Sequence, residues 1–271
     1  EPTDRRDKST YEVDTEGTLE AEEGELVVAD VLPARRHGLP QARVVERVGR
    51  LDQPRAFSLI AIHTHDIPVE FAQDAIAEAE AARPVTLGQR TDLRQIPLVT
   101  IDGADARDFD DAVWAEPDPD PANAGGWHAV VAIADVAWYV RQGSALDRAA
   151  RKRGNSVYFP DRVVPMLPEA LSNDLCSLRP KEDRAVMAVH LWFDREGVKR
   201  GHRFVRGLMR SAARLTYEQV QGAIEGRTDD ATDTLLDGVI KPLYGVFRAL
   251  LIDRERRGTR ELDVPERTAV L

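Results

Sequence analysis

The sequence predicts a mixed α+β fold: the closing strands of a small β-barrel, a helical connector, then a mixed sheet with helices around it. Three observations carry this. Short β-branched clusters separated by turn residues fill the first fifty positions, an Ala- and Glu-rich helical pattern follows, and from about residue 92 strand and helix signals alternate.

In the first part, residues 1–51, Leu26-Val27-Val28, Val31-Leu32, Val44-Val45 and Val48 are separated by Pro33, Gly38 and Pro40. Two or three strands do not make an independent sheet, so earlier strands are expected upstream of Glu1. Residues 52–91 read as a connector with a helix over 69–82, entered after Pro68 and closed before Pro84. In residues 92–271 the first strands expected are 97–101 and 128–134. Ser144 caps a helix carrying Leu146, Ala149 and Ala150 that stops at Gly154. Strands over 185–193 and 198–209 flank the turn Asp194-Arg195-Glu196-Gly197. Thr216 and Gln219 form a capping box, and an amphipathic helix from Asp233 to about Arg257 is expected to bend at Pro242.

Composition narrows the class. The chain has 271 residues, 42% hydrophobic and 31% charged, enough for a real core. Its longest apolar run, 26–32, is broken by Asp30 and falls far short of the ~20 residues that span a bilayer, so no membrane partner is expected. No basic-then-apolar leader is visible, and the single cysteine, Cys176, has no disulfide partner, which together point to the cytoplasm. The net charge of −10 argues against nucleic acid, but only as a sum. Residues 141–214 hold 16 Lys and Arg against 8 Asp and Glu, a local excess of +8. The run 148–153 and the series Lys199, Arg200, Arg203, Arg206, Arg210, Arg214 supply most of it. They suit a phosphate-tracking channel, and equally a solvated face.

The most informative segment is Asp102-Gly103-Ala104-Asp105-Ala106-Arg107-Asp108-Phe109-Asp110-Asp111, directly after an apolar strand. Carboxylates this close repel and raise one another's pKa unless a cation neutralises them. A hard divalent ion with oxygen ligands answers that need, Mg²⁺ in particular. A solvated acidic turn is the bland alternative, opposed by the interleaved apolar residues Ile101, Phe109, Ala112, Val113 and Trp114. A calcium loop is a further one, but the regular alternation with a central glycine and closing glutamate is missing. Arg107 reads as an internal counter-ion.

The run from Ile96-Pro97-Leu98-Val99-Thr100-Ile101-Asp102 to Asp108-Phe109-Asp110-Asp111-Ala112-Val113 resembles the signature of the ribonuclease II and ribonuclease R (RNB) family of exoribonucleases. Three more blocks match in order: Ala132-Ile133-Ala134-Asp135-Val136 with Gly143-Ser144-Ala145-Leu146-Asp147; Arg153-Gly154-Asn155-Ser156-Val157-Tyr158-Phe159-Pro160; and Val164-Pro165-Met166-Leu167-Pro168-Glu169 with Leu171-Ser172-Asn173-Asp174-Leu175-Cys176-Ser177-Leu178. The resemblance implies a partial cold-shock (OB-type) domain followed by the first half of an RNB catalytic domain.

It also implies processive Mg²⁺-dependent hydrolysis of single-stranded RNA from its 3′ end to nucleoside 5′-monophosphates, with Mn²⁺ as a substitute ion. By position, Asp102, Asp108, Asp110 and Asp111 are the metal-binding acids and Asp110 the most critical for chemistry; Asp105 falls at a variable position. Tyr158 matches an aromatic that stacks on a base near the 3′ end, and Tyr217 one placed beside the scissile phosphate. Arg151, Lys152, Arg153, Arg206 and Arg210 are the basic residues expected to meet RNA. The family pattern continues past Leu271 through an Arg-rich segment, usually into an S1 domain, so the chain is expected to be an internal portion, incomplete as an enzyme by itself and monomeric.

Other signals are weaker. His63-x-His65 has a zinc-like spacing without further ligands nearby, so surface histidines are expected. Cys176 reads as a buried structural thiol. Ser156, Ser172 and Ser177 lack a nucleophile elbow, and no phosphate-cradling glycine motif is present. Two rivals remain: an RNA-binding relative that has lost catalysis, and a metal-dependent phosphoesterase acting on small phosphates.

Overall fold

The computed structural model describes residues 1–259 except 4–5, 14–16, 34–37, 51, 54–55, 105 and 107. Along the chain come β1 (Glu12–Val13), β2 (Glu25–Val31), β3 (Gln41–Arg50) and α1 (Ala56–Thr64), then α2 (Gln73–Ala81), β4 (Thr91–Asp92), β5 (Val99–Asp102), β6 (Asp111–Pro117), β7 (Trp127–Ala134), α3 (Val136–Tyr139) and α4 (Ala145–Arg153). The rest holds β8 (Val157–Tyr158), β9 (Val163–Val164), β10 (Asp183–Phe193), β11 (Lys199–Arg210), β12 (Ala213–Thr216), α5 (Tyr217–Ile224) and α6 (Lys241–Arg256). Two compact units result, one formed by Glu1–Phe71 and Arg151–Met166, the other by Ala72–Ala150 and the described residues from Leu167 on. No helix among the described residues is long and apolar enough to cross a membrane.

The first unit contains a three-stranded sheet in the order β1-β3-β2, with β2 and β3 antiparallel and bulged twice. Leu26, Ala42 and Val44 are its buried side chains. Helix α1 was not foreseen: Phe57, Leu59, Ile60 and Ile62 are apolar on every side of the helix, so no 3.6-residue period marks it. It buries Ala56, Ser58 and Ile62. The Ser58 hydroxyl donates to Asp161 in the turn between β8 and β9.

The second unit is built on a seven-stranded mixed sheet, ordered β12-β5-β6-β7-β10-β11-β4. The outermost pairs, β12 with β5 and β11 with β4, are parallel, and the others are antiparallel. One face packs Leu98, Ala112, Val130, Ala132, Val186, Ala188 and Met209 against Leu146, Leu171 and Leu178. The other buries Val99 and Leu215 with Ala223 of α5 and with Val239 and Ile240. Further along that face, Ala115, Ala129 and Phe193 meet Val246 of α6. Where both faces are covered, the strands read as apolar runs rather than clean alternations. Gly245 permits the close approach of α6, since a Cβ there would lie 2.3 Å from the Trp127 ring.

Local capping follows the sequence. Ser144 Oγ accepts from Asp147 N at 3.2 Å, and Gly154 takes the left-handed conformation (φ +80°) after α4. Thr216 and Gln219 make both bonds of the capping box, at 2.9 and 3.2 Å. The helix expected from Asp233 is different. A 3₁₀ turn, Asp233–Leu235, and a π-helical turn, Leu236–Ile240, precede α6. Pro242 lies in the first turn of α6, where its missing N–H removes no intrahelical bond.

Candidate active site

The acidic segment joins two adjacent strands. Asp102 is the last residue of β5, Asp111 the first of β6, and Asp108 and Asp110 lie on the loop between them. Strand β12 pairs with β5 so that Thr216 registers with Asp102. Tyr217, the next residue, opens α5 at this same end of the sheet and is 62% exposed. On the other side Asp111 registers with Ile133, and Ala134 N donates to Asp110 O at 2.8 Å. Topology thus brings four acids and Tyr217 to one sheet end.

The loop is held from behind. The Phe109 side chain is buried, its N–H donates to Ser177 Oγ at 3.2 Å, and its carbonyl accepts from Leu178 N at 2.6 Å. Arg184, itself buried, donates from Nε to Ser177 O at 2.8 Å. These contacts fix a hydrophobic pivot between Asp108, which is half-buried, and Asp110, which is exposed.

Electrostatics at this end are unfavourable. Burial raises the Asp102 pKa, and the charges of Asp111 and Asp110 raise it further; Arg214 opposes them. Asp111 is raised by burial and then by Asp110. Asp102 Oδ2 is buried and accepts no hydrogen bond. An orphaned carboxylate oxygen among mutually repelling acids, with oxygen as the only donor type, fits a hard divalent cation. Among the described residues, no group of three or more His, Cys, Asp or Glu is gathered closely enough to hold an ion by itself. Mg²⁺ does not require one, since it commonly binds through one or two carboxylates, waters and substrate phosphate.

The remaining residues singled out from sequence fall into two groups. Arg206 and Arg210 are on β11 of the second unit. Arg206 shares a register row with Asp111, Ile133 and Met187, three strand spacings and so roughly 14 Å from Asp111. Its Nη2 is 3.5 Å from Asp135 Oδ1, whereas Arg210 Nε donates to Asp183 Oδ1 at 2.8 Å. In the first unit, Tyr158 on β8 is 65% exposed, and Arg151 and Lys152 are exposed in the last turn of α4. Arg153 is engaged by its own unit. Its guanidinium lies 3.6 Å from the Phe71 ring centroid, Nη2 donates to Val69 O and Glu70 O at 3.2 and 2.8 Å, and burial lowers its pKa. Arg107 lies outside the described residues.

His63 and His65 are exposed, at and just past the end of α1. Cys176 is buried and its thiol is pushed up to about 12, which makes it an inert structural group. Sequence reasoning missed the buried ion pair Arg90–Asp135, 2.7 Å, which Arg206 approaches from β11. Asp135 stands within a recognised motif, but no local signal names a partner 45 positions away. It also missed the Ser177–Leu178 clamp on Phe109.

Comparison with known proteins shows the family and the fold. A model of the RNB domain matches residues 90–271, and one of the cold shock domain matches residues 1–72. The chain is 42% identical over 269 residues to the ribonuclease R of Acidithiobacillus ferrooxidans, covering 96% of this chain and 60% of that protein. It is similar to Mycoplasma genitalium RNase R, solved in complex with ribose methylated single-stranded RNA, at a TM-score of 0.84 and 26% identity over 96% of this chain and 40% of that one. Yeast Ssd1, a pseudonuclease, shares the fold at a TM-score of 0.66 and 17% identity, over 94% of this chain and 32% of that one. The chain therefore spans 60% or less of each of these relatives.

Proposed function

The chain belongs to the RNB family, and we propose that it contributes the metal-binding face of a hydrolytic 3′-to-5′ exoribonuclease that degrades single-stranded RNA processively to nucleoside 5′-monophosphates. The observation that carries this is the convergence of Asp102, Asp110, Asp111 and Tyr217 on one sheet end, with Asp102 Oδ2 buried and unpartnered. The likeness to ribonuclease R proteins, one of them solved with RNA, supports the substrate class.

Asp102, Asp108, Asp110 and Asp111 are the residues that would hold Mg²⁺, or Mn²⁺ in its place. The chemistry such ions supply when bound is activation of water and neutralisation of charge on the attacking and leaving oxygens of a phosphodiester. The chain's own residues do the rest. The pivot at Phe109 keeps Asp108 and Asp110 on one short stretch, so the acids act as a unit. Tyr217, exposed beside Asp102 at a capped helix start, offers its hydroxyl as a donor to the phosphate being cleaved. Tyr158 supplies a base-indifferent stacking face, and Arg151, Lys152, Arg206 and Arg210 supply positive charge along the strand being consumed. The lone, buried Cys176 suits the reducing cytoplasm.

The test uses the full-length protein with 5′-labelled single-stranded RNA and Mg²⁺. The label is expected to shorten stepwise from the 3′ end with release of mononucleotides, and Asp110→Asn is expected to abolish this. Undiminished degradation by that variant would sink the assignment. A non-catalytic RNA-binding role is the alternative; RNA binding without Mg²⁺-dependent shortening by the unaltered protein would establish it.

A further inference from the structure

Arg214 sits on β12, where it registers with Thr100 of β5, two positions before the Thr216–Asp102 pair. Its side chain reaches the acidic loop that follows β5. Nη2 donates to the carbonyls of Ala104 and Ala106, at 3.0 and 3.2 Å. The guanidinium carbon lies 4.6 Å from the centroid of the Phe109 ring. One residue thus touches the first half of the loop through backbone oxygens and the second half through the ring between Asp108 and Asp110.

The arrangement serves the loop at a cost to the arginine. Nε of Arg214 is buried without an acceptor, although a guanidinium free to choose would satisfy it. The carbonyls of Ala104 and Ala106 belong to no strand, and like-charged acids on a short loop tend to spread. A planar guanidinium can accept a ring against its face while donating to oxygens at its edge. The ammonium of a lysine supplies charge but not this combination.

We propose that Arg214 is the positioning residue of the metal-binding loop, holding Asp102, Asp108 and Asp110 in the arrangement that receives the divalent cation. The inference rests on the function proposed above and deepens it. It makes Arg214 an organiser of the metal site rather than one more cation for RNA, although it lies in the same basic series as Arg206 and Arg210.

The experiment compares full-length protein with Arg214→Met and Arg214→Lys. Mn²⁺ binding is followed by electron paramagnetic resonance, RNA affinity by fluorescence anisotropy in EDTA, and kcat and KM for RNA by titration with Mg²⁺. Arg214→Met is expected to weaken Mn²⁺ binding by roughly 10–100-fold, as loss of a metal-supporting contact does. It should lower kcat and raise the Mg²⁺ concentration needed, while leaving RNA affinity and KM within about twofold. Arg214→Lys should recover part of the metal affinity. Metal affinity unchanged in Arg214→Met overturns the proposal, and so does a parallel loss of metal and RNA affinity, which marks a general structural role or a direct RNA contact. Should Arg214→Met fail to fold, Arg214→Lys decides: metal affinity equal to the unaltered protein's overturns the proposal, and a selective loss supports it. An unaltered protein that neither binds Mn²⁺ nor degrades RNA overturns the parent function itself, whereas one that does both beside an equally competent Arg214→Met overturns the role of Arg214 alone.

Discussion

Where β6 begins and β7 finishes, Asp102, Asp110 and Asp111 repel one another, burial raises both Asp102 and Asp111, and Asp102 Oδ2 has no partner. Where β6 finishes and β7 begins, at the far end of the same two strands, the polar groups answer one another. His128 Nδ1 lies 3.1 Å from Glu116 Oε1 and its Nε2 lies 3.0 Å from His190 Nδ1. The His128 ring stacks on Trp192 with centroids 5.0 Å apart and 8° between planes, and meets Trp114 edge to face at 5.7 Å. Among the described side chains, only His190 Nε2 is left buried without a bond there. One sheet, with the same strands, keeps a costly end and an economical one. Unfavourable charge retained at one end of a well-satisfied scaffold is what a site requires and a core avoids.

The largest expected effect comes from breaking the acidic end. If the proposed function holds, Asp110→Asn in the full-length protein is expected to lower kcat by at least about 10²-fold, the scale of removing a group that stabilises transition-state charge. Next is its pivot: Phe109→Ala empties a buried site and is expected to cost about 3 kcal/mol or more in chemical denaturation. A loss under about 1 kcal/mol would show that the Ser177 and Leu178 backbone contacts hold the loop unaided.

The histidine end predicts a smaller, pH-dependent effect. Burial chiefly, then His128 and Arg203, depresses the His190 pKa below its ordinary 6.5. A depressed folded value means that stability from the neutral ring is present above 6.5 and lost as pH falls through the folded value. Melting temperature is therefore expected to decline below about pH 6.5, and His190→Gln should remove part of that decline. Identical pH profiles for the two proteins would exclude His190 as its source.

The smallest effect has the opposite sign. A raised folded pKa means that Asp102 favours the fold while protonated and ceases to do so as pH rises through its folded value. Asp102→Asn is accordingly expected to stabilise the metal-free protein at pH 7, by a few degrees if the gain is ~1 kcal/mol. The gain should vanish near pH 3. A lower melting temperature in EDTA at pH 7 would contradict the charge strain described for this sheet end.

Much of this was legible in the residues. The spacing of Asp102, Asp108, Asp110 and Asp111 after an apolar strand marked the candidate site, and the Thr216–Gln219 box and the turn at Gly197 marked element ends. Helix α1 was not legible, because Phe57, Leu59, Ile60 and Ile62 show no face. The change of helix type before α6 was hidden too: a 3₁₀ turn and a π turn read in sequence like the α-helix they lead into. Arg153 looked like a phosphate contact from its position in a basic run, and only the fold shows its guanidinium engaged by Phe71, Val69 and Glu70.

By itself the sequence determined what depends on a few neighbouring residues: caps, turns, strand character, and the crowding of like charges on one short acidic loop. Tertiary structure alone decided which strands became neighbours. Parallel pairing of β12 with β5 places Tyr217 and Arg214 beside an acidic loop more than a hundred positions earlier. Backbone hydrogen bonds between strands are chemically alike whatever the side chains, so this pairing leaves no local mark. It follows from burying both faces of the sheet at once.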